Sequence, residues 1–117
     1  MRVLIVYEDS HRSYGEAMVG AVGESRPSLK VALAHLRELE AELERFDPHL
    51  VVSSRANPFE VGTRAAWVLL SDDPDEPSEV CIDGQHRRLE NPGLEEMLEI
   101  IDETERLVGS GHELRGC

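Results

Sequence analysis

The 117-residue sequence predicts one α/β domain, in which a parallel βαβαβ half is followed by a short antiparallel β-meander and a C-terminal helix. Three observations predict this fold. Continuous apolar runs alternate with segments of helical periodicity in the first half. Only eight residues separate the next two apolar runs, which is too short for a parallel crossover. The dipeptide Asp83-Gly84 is typical of a two-residue hairpin turn.

The first half contains three predicted strands joined by two helices. Residues 2–7 form a continuous Val/Leu/Ile run, typical of a strand that is buried on both faces, and residues 29–34 and 50–53 form the next two strands. Ser13 and Glu16 have the spacing of a capping box and predict the start of the first helix. Strands joined in this way are parallel, with right-handed crossovers.

Apolar stripes predict the two other helices. The second helix ends before Pro48, and its apolar face consists of Leu36, Leu39, Leu43 and Phe46. The last helix is predicted to begin with Asn91 as its cap and Pro92 in the first helical position. Its buried stripe consists of Leu94, Met97, Leu98, Ile101 and Val108.

The second half also contains three short predicted strands, at residues 65–70, 79–82 and 85–89. The last two flank the Asp-Gly turn and predict an antiparallel hairpin. We therefore expect a single domain over residues 1–108. Residues 109–117 are rich in glycine and predict a flexible tail.

The composition of the chain restricts the classes of function that it can have. The formal net charge is −12, which argues against binding to nucleic acid or to an anionic membrane and favours a basic protein partner. The first apolar run is too short for a signal peptide or a membrane span. Cys81 and Cys117 do not form a framework of disulfides, and we expect free thiols in a reducing cytoplasm. The sequence thus predicts a cytoplasmic protein.

The stretch from Phe46 to Pro58 resembles the third strand of bacterial two-component receiver domains. It reads Phe-Asp-Pro-His-Leu-Val-Val-Ser-Ser-Arg-Ala-Asn-Pro. In that family the strand ends on a phospho-accepting aspartate, and a proline follows four residues later. Here Ser54 stands at the acceptor position and Pro58 follows it by four residues. The resemblance lies mainly in residues 1–58.

Other positions match the receiver pattern in part. Glu8 and Asp9, at the end of Val6-Tyr7-Glu8-Asp9, resemble the family's acidic residues, which hold a magnesium ion. Ser71 matches its switch hydroxyl, and Asn91-Pro92 resembles its Lys-Pro pair with asparagine in place of lysine. A serine hydroxyl cannot form an acyl phosphate. The resemblance therefore implies a degenerate receiver, or pseudo-receiver, that is not phosphorylated on aspartate.

The carboxyl ends of parallel strands lie at one edge of the sheet, where ligands bind in open α/β folds. We expect a candidate crevice there. Its residues are Glu8, Asp9, His11, Arg12, Ser54, Arg55, Ser71 and Asp72.

Three kinds of chemistry are compatible with this crevice. Glu8 and Asp9 can serve as oxygen ligands for Mg²⁺, although ordinary solvated loop residues are the simpler interpretation. Ser54, His11 and Asp9 are the residue types of a hydrolytic triad, but there is no Gly-x-Ser-x-Gly elbow, and we assign no catalytic residue. The segment from residue 7 to 15 is similar to the phosphate-binding loop of flavodoxins, with Arg12 attracting a phosphate and the two acids repelling it.

The sequence as a whole predicts a flavodoxin-like or receiver-like domain that is catalytically silent. We expect a stand-alone protein-interaction module in bacterial-type signalling, with no cofactor. If a sheet face or edge lacks cover, the domain is expected to form a homodimer. The alternative is a flavodoxin-like domain that binds a small molecule or a metal ion in the strand-end crevice.

Overall fold

The structure is a computed structural model that describes residues 1–54, 65–71, 75–90 and 92–115. Its strands and helices, in chain order, are β1 (Arg2–Tyr7), α1 (Arg12–Ser25), β2 (Lys30–His35), α2 (Leu39–Arg45), β3 (Leu50–Ser53), β4 (Ala66–Leu69), β5 (Ser78–Ile82), β6 (Gln85–Leu89) and α3 (Leu94–Gly109). Single turns of 3-10 helix at Asp9–His11 and Leu36–Glu38 precede the first two helices.

All six strands belong to one mixed sheet in the order β2-β1-β3-β4-β5-β6. The first four strands are parallel, and β5 and β6 are antiparallel to their neighbours. This arrangement confirms the predicted α/β class, the parallel first half and the antiparallel second half. The predicted hairpin is also confirmed: Asp83 and Gly84 both have positive φ angles, of 54° and 78°, as a turn with two left-handed residues requires.

Side chains alternate between two apolar layers, one on each face of the sheet. We call the face covered by α1 and α3 the first face. Its core includes Val3, Ile5, Val52, Val68 and Val80 from the sheet and Met18, Val22, Met97 and Ile101 from the helices. On the second face, α2 contributes Leu39 and Leu43 to a smaller layer that contains Leu4, Val51 and Trp67. The central strands are buried on both faces, as their apolar runs predict.

The helices begin at other residues than those predicted. No side-chain cap from Ser13 opens α1, which starts at Arg12 after a His11 cap without a side-chain hydrogen bond. The predicted start of the last helix at Asn91-Pro92 is wrong, because α3 begins at Leu94 with Gly93 as its cap. The Glu96 carboxylate accepts the Gly93 N–H at 2.9 Å, which satisfies a terminal donor that no helical carbonyl reaches. Asn91 lies outside the described residues.

Leu94, predicted to be buried in α3, is 39% exposed. The buried residues of α3 are Met97, Ile100, Ile101 and Thr104. Thr104 is accommodated in the core because its hydroxyl donates to the Ile100 carbonyl oxygen at 2.9 Å. The stripe that packs on the sheet thus begins one turn later than predicted.

His112 and Arg115, which follow α3, contact the turn between β5 and β6. The Arg115 N–H donates to Asp83 Oδ1 at 2.7 Å, and His112 Nε2 lies 2.9 Å from Asp83 Oδ2. These hydrogen bonds lower the pKa of Asp83, and the one from Arg115 has the largest effect. Leu114, in the same segment, is buried. The flexibility of residues 109–117 stays a prediction, and the contacts of residues 112–115 oppose it.

The prediction of a free thiol is wrong for Cys81. Its side chain is buried in β5 and is part of a disulfide. Cys117, the other cysteine of the sequence, lies outside the described residues. None of the helices in the described part of the chain is long and apolar enough to cross a membrane.

A close approach of α1 to the sheet generates the first prediction. A Cβ added at Gly15 would lie 3.0 Å from Leu33 Cδ1 and 3.2 Å from Tyr7 Cβ, whereas one added at Gly20 would meet nothing within 4 Å. We expect Gly15→Ala to lower the free energy of unfolding by about 1 kcal/mol or more because it overpacks this contact. As the matched control, Gly20→Ala should raise it by about 0.5–1 kcal/mol through helix propensity. Both variants are measured by urea unfolding. An equal increase in the free energy of unfolding for the two variants would contradict the packing argument.

The second prediction concerns the ion pair that joins the end of α1 to α3. Arg26 Nε and Nη2 donate to the two Asp102 carboxylate oxygens at 2.8 and 2.7 Å. These hydrogen bonds hold the pKa of Asp102 below its usual range. A depressed carboxyl pKa stabilises the fold above the unfolded-state pKa, and the contribution is lost as the pH falls through the folded-state pKa.

Asp102→Asn should therefore lower the urea midpoint modestly at pH 7, since both side chains are more than a third exposed. The difference in urea midpoint between this variant and the unmodified chain should disappear in acid, once Asp102 is protonated. Glu99→Gln is the control, because Glu99 is an exposed carboxylate on the same helix. A difference that persists unchanged at low pH would rule out the ion pair as its source.

Candidate functional site

The candidate site lies where the parallel strands end, as the sequence predicts. Ile5 pairs with Val52, Ser53 with Leu69, and Leu69 with Glu79. Extending each register along the strands places four side chains in one row across the first face of the sheet. From β1 to β5, this row consists of Tyr7, Ser54, Leu70 and Ser78, and we call it the floor row.

Ser54 and Glu8 are in direct contact at this edge. The Ser54 hydroxyl donates to Glu8 Oε2 at 2.6 Å. Ser54 directly follows β3 and Glu8 directly follows β1, so the pairing of these two neighbouring strands brings them together. The two side chains are thus neighbours at the strand ends. A short hydrogen bond to a carboxylate is stronger than one between neutral groups.

Asp9 and Arg12 make other contacts than the crevice hypothesis requires. Asp9 Oδ1 lies 2.6 Å from Nε2 of His35, whose ring stands edge-on to Tyr7 with centroids 5.2 Å apart. Arg12 donates to the Glu16 carboxylate at 2.9 Å, and this hydrogen bond is the first cause of its raised pKa.

The hydrolytic triad is not assembled. His11 Nδ1 lies 2.9 Å from the Ser10 hydroxyl. Asp9 contacts His35, and Ser54 donates to Glu8. Each member of the hypothetical triad thus has a different neighbour. No nucleophile–base pair forms among the three side chains. Arg55 and Asp72, the two other predicted crevice residues, lie outside the described residues.

A cavity of about 230 Å³ lies above the floor row. Its walls are mostly apolar and include Val52, Leu70, Tyr14 and Pro92, and the polar residues Glu8, His11, Ser54, Ser71 and Ser78 also line it. Partial burial raises the pKa of the Tyr14 phenol. The cavity is therefore an apolar space with a few polar groups, which is the usual composition of a small-molecule site.

Ser78 was missed by the sequence analysis, although it is 3% exposed and belongs to the floor row. Its hydroxyl oxygen accepts the Ser71 N–H at 3.1 Å. The signal for it is the alternation Ser78, Val80, Ile82, which places the three side chains on one face. That signal requires the strand to begin at Ser78 instead of Glu79, where the sequence analysis placed its start.

The predicted Mg²⁺ ligands Glu8 and Asp9 face different neighbours, Ser54 and His35. Among the described residues, no group of three or more His, Cys, Asp or Glu side chains is placed to hold a metal ion. Mg²⁺ prefers an octahedral set of oxygen ligands, so these two acids do not by themselves form such a set.

Comparison of the chain with protein-family models, with curated proteins and with solved structures found no match.

The third prediction tests the contact between Ser54 and Glu8. Ser54→Ala removes the donor from a carboxylate that is only partly exposed, and we expect the free energy of unfolding to fall by about 1 kcal/mol. Ser10→Ala is the control, because Ser10 is exposed and its hydroxyl forms a hydrogen bond with the neighbouring His11. Equal effects of the two substitutions in urea unfolding would mean that the Ser54 hydrogen bond contributes nothing specific.

Proposed function

We propose that this chain is a receiver-like module that signals by binding another protein and is not phosphorylated on aspartate. The observation that carries the proposal is the hydrogen bond between Ser54 and Glu8 at the carboxyl ends of β3 and β1. The strand order β2-β1-β3-β4-β5, with the site at the end of the central strand, is compatible with it. A serine at this position supplies no carboxylate ligand to a bound cation.

The surface around the cavity supports a role in binding protein. Within the described residues, only Tyr14 and Leu94 are large apolar side chains with high exposure, at 48% and 39%. Both lie in the first turn of a helix, α1 or α3, at the edge of the sheet where the cavity opens. Exposed apolar residues that form a contiguous patch mark interaction sites, and Tyr14 also lines the cavity. The net charge of −12 favours a basic partner.

The proposal includes self-association through the edges of the sheet. The expected homodimer depended on an uncovered sheet face or sheet edge, and Val51, Ala65 and Trp67 of the second face are buried within the chain. The remaining route to a homodimer is through the two sheet edges, β2 and β6. The compartment also stays a proposal. The argument from free thiols no longer supports the cytoplasm, because disulfides persist in oxidising environments.

A second candidate function is the binding of a small molecule in the strand-end cavity. The observation that favours it is the apolar space of about 230 Å³ above the floor row. The flavodoxin-like version of this function requires phosphate contacts at the start of α1. Arg12, the predicted phosphate ligand, already pairs with Glu16, so a flavin phosphate has less support than an uncharged ligand.

The fourth prediction restores a carboxylate at the acceptor position. We expect Mg²⁺ with beryllium fluoride to leave the melting temperature of the unmodified chain unchanged. The variant Ser54→Asp should be stabilised by Mg²⁺, because two adjacent carboxylates repel each other until a cation binds between them. Binding at a Mg²⁺ concentration about 100 times the dissociation constant stabilises a fold by about 2.7 kcal/mol.

Ser10→Asp is the control for this experiment, since it adds the same charge at an exposed position of the adjacent loop. Stabilisation of the unmodified chain by Mg²⁺ and beryllium fluoride together would contradict the proposal that the module is not phosphorylated. A Ser54→Asp variant that responds no better than Ser10→Asp would contradict the receiver-like geometry.

A further inference from the structure

We propose that a disulfide between Cys81 and Cys117 forms a redox-sensitive latch. The latch holds the segment after α3 around the end of the β5–β6 hairpin, and reduction of the disulfide releases that segment. This inference goes beyond the proposed function and does not depend on it. It follows from the bonding and burial of Cys81, from the contacts of His112 and Arg115, and from the opposite faces of the sheet on which α3 and Cys81 lie.

The burial of Cys81 indicates which cysteine is its partner. Cys81 is part of a disulfide and is only 5% exposed. A cysteine of a second chain cannot approach a side chain that is buried in β5 unless the fold opens. The partner therefore belongs to the same chain, and the sequence contains one other cysteine, Cys117.

The hydrogen bond of Arg115 brings the two cysteines within reach of each other. Its N–H donates to Asp83 Oδ1 at 2.7 Å. Asp83 follows Cys81 by two residues, and Cys117 follows Arg115 by two residues. Two residues of chain span up to about 7 Å in each case, and the Cα atoms of a disulfide are about 4–7 Å apart. The chain after Arg115 is therefore long enough to return to Cys81.

The segment between α3 and the disulfide changes from one face of the sheet to the other. The buried apolar side chains of α3 pack on the first face. Cys81 is opposite Trp67 in the register of β4 and β5, so its side chain points to the second face with that of Trp67. His112 and Arg115 contact Asp83 in the turn of the hairpin, and the chain passes from the first face to the second around this turn.

The contacts at the hairpin turn are weaker than those inside the sheet. Both hydrogen bonds to Asp83 are exposed, and such bonds contribute little net stability. Leu114 is the one buried residue among residues 110–115. By contrast, β3 is paired on both sides and buried along its whole length. Once the disulfide is reduced, we therefore expect the segment to detach locally while the sheet stays folded.

Reduction by a dithiol opens the latch through thiol–disulfide exchange. One thiolate of the dithiol attacks a sulfur of the protein disulfide and forms a mixed disulfide, which the second thiolate of the dithiol then attacks. The exchange transfers two electrons. Cys81 and Cys117 become thiols after taking up two protons, and the dithiol becomes a cyclic disulfide. The latch is therefore closed in an oxidising compartment and open in a reducing one.

Trp67 provides a fluorescence signal for the state of the latch. It is the single tryptophan of the chain, is 4% exposed, and lies directly opposite Cys81 in the sheet. Residues in directly opposite positions have Cβ atoms about 5 Å apart, which places the disulfide beside the indole ring. Because disulfides quench indole fluorescence, reduction should increase the emission of Trp67.

The test uses the full chain, purified without reductant and compared before and after addition of dithiothreitol. After iodoacetamide treatment in denaturant, mass spectrometry should find a monomer with no modified cysteine before reduction and with both cysteines modified after it. The Arg115 amide should exchange its hydrogen about tenfold faster or more after reduction, because the segment then opens locally. The amides of Val51 and Val52 in β3 should exchange at an unchanged rate.

Cys117→Ser should reproduce the reduced state without dithiothreitol and should not respond to it further. Ser110→Ala is the matched control in the same segment, because Ser110 is exposed and its hydroxyl donates to the Leu107 carbonyl oxygen. This variant should respond to dithiothreitol as the unmodified chain does. If Cys117→Ser does not fold, the response of the unmodified chain to reduction decides the question.

Several outcomes would overturn the inference. A modified cysteine or a disulfide-linked dimer before reduction would exclude the pair Cys81–Cys117. An unchanged exchange rate at Arg115 after reduction would show that the segment is held without the disulfide, and unchanged Trp67 emission would show that no disulfide lies beside the indole. Loss of protection in β3 would show that the whole fold requires the disulfide. None of these outcomes alters the expected response to beryllium fluoride, so the two proposals can fail separately.

Discussion

β3 lies between β1 and β4 and is buried along its whole length, and the position of the candidate site depends on this parallel pairing. Its register with β1 brings Ser54 beside Glu8, and its register with β4 brings Leu70 to the other side of Ser54. The antiparallel register of β5 then adds Ser78 to the same row. A slip of one residue in any of these pairings would turn the affected side chain to the opposite face of the sheet. The site is therefore a consequence of the sheet register and of the apolar residues that hold it.

Much of the sheet could be predicted from the sequence, because its signals are local. The Leu50–Ser53 strand and the Gln85–Leu89 strand have the predicted bounds, since one is a short apolar run and the other follows an Asp-Gly turn. The helix starts could not be predicted in the same way. The side chain of Glu96 satisfies the Gly93 N–H, and Ser13 has the right spacing for a cap but no cap contact. Such choices depend on how a helix is held against the sheet, which a local pattern does not contain.

The position of the candidate site could be predicted because it follows from the strand ends. The partners of its charged side chains could not. Glu8 and Ser54 follow neighbouring strands, so their contact could be anticipated. Asp9 belongs to the same loop as Glu8, but His35 at the end of β2 is close enough to bind it. Arg12 is similarly engaged by Glu16, one helical turn away. Residue type and order along the chain cannot show which of several nearby partners a charged side chain will choose.

The chemistry of the site depends on the hydroxyl, instead of a second carboxylate, that lies beside Glu8. Two carboxylates at the distance of Ser54 and Glu8 would repel each other, and one of them would stay protonated or a cation would have to bind between them. With serine, the same contact becomes a hydrogen bond that is favourable without any cation. The serine proton is then committed to Glu8, and the Ser54 oxygen can still accept a hydrogen bond. A serine at the end of β3 therefore lets β1 and β3 end side by side without a second negative charge next to Glu8.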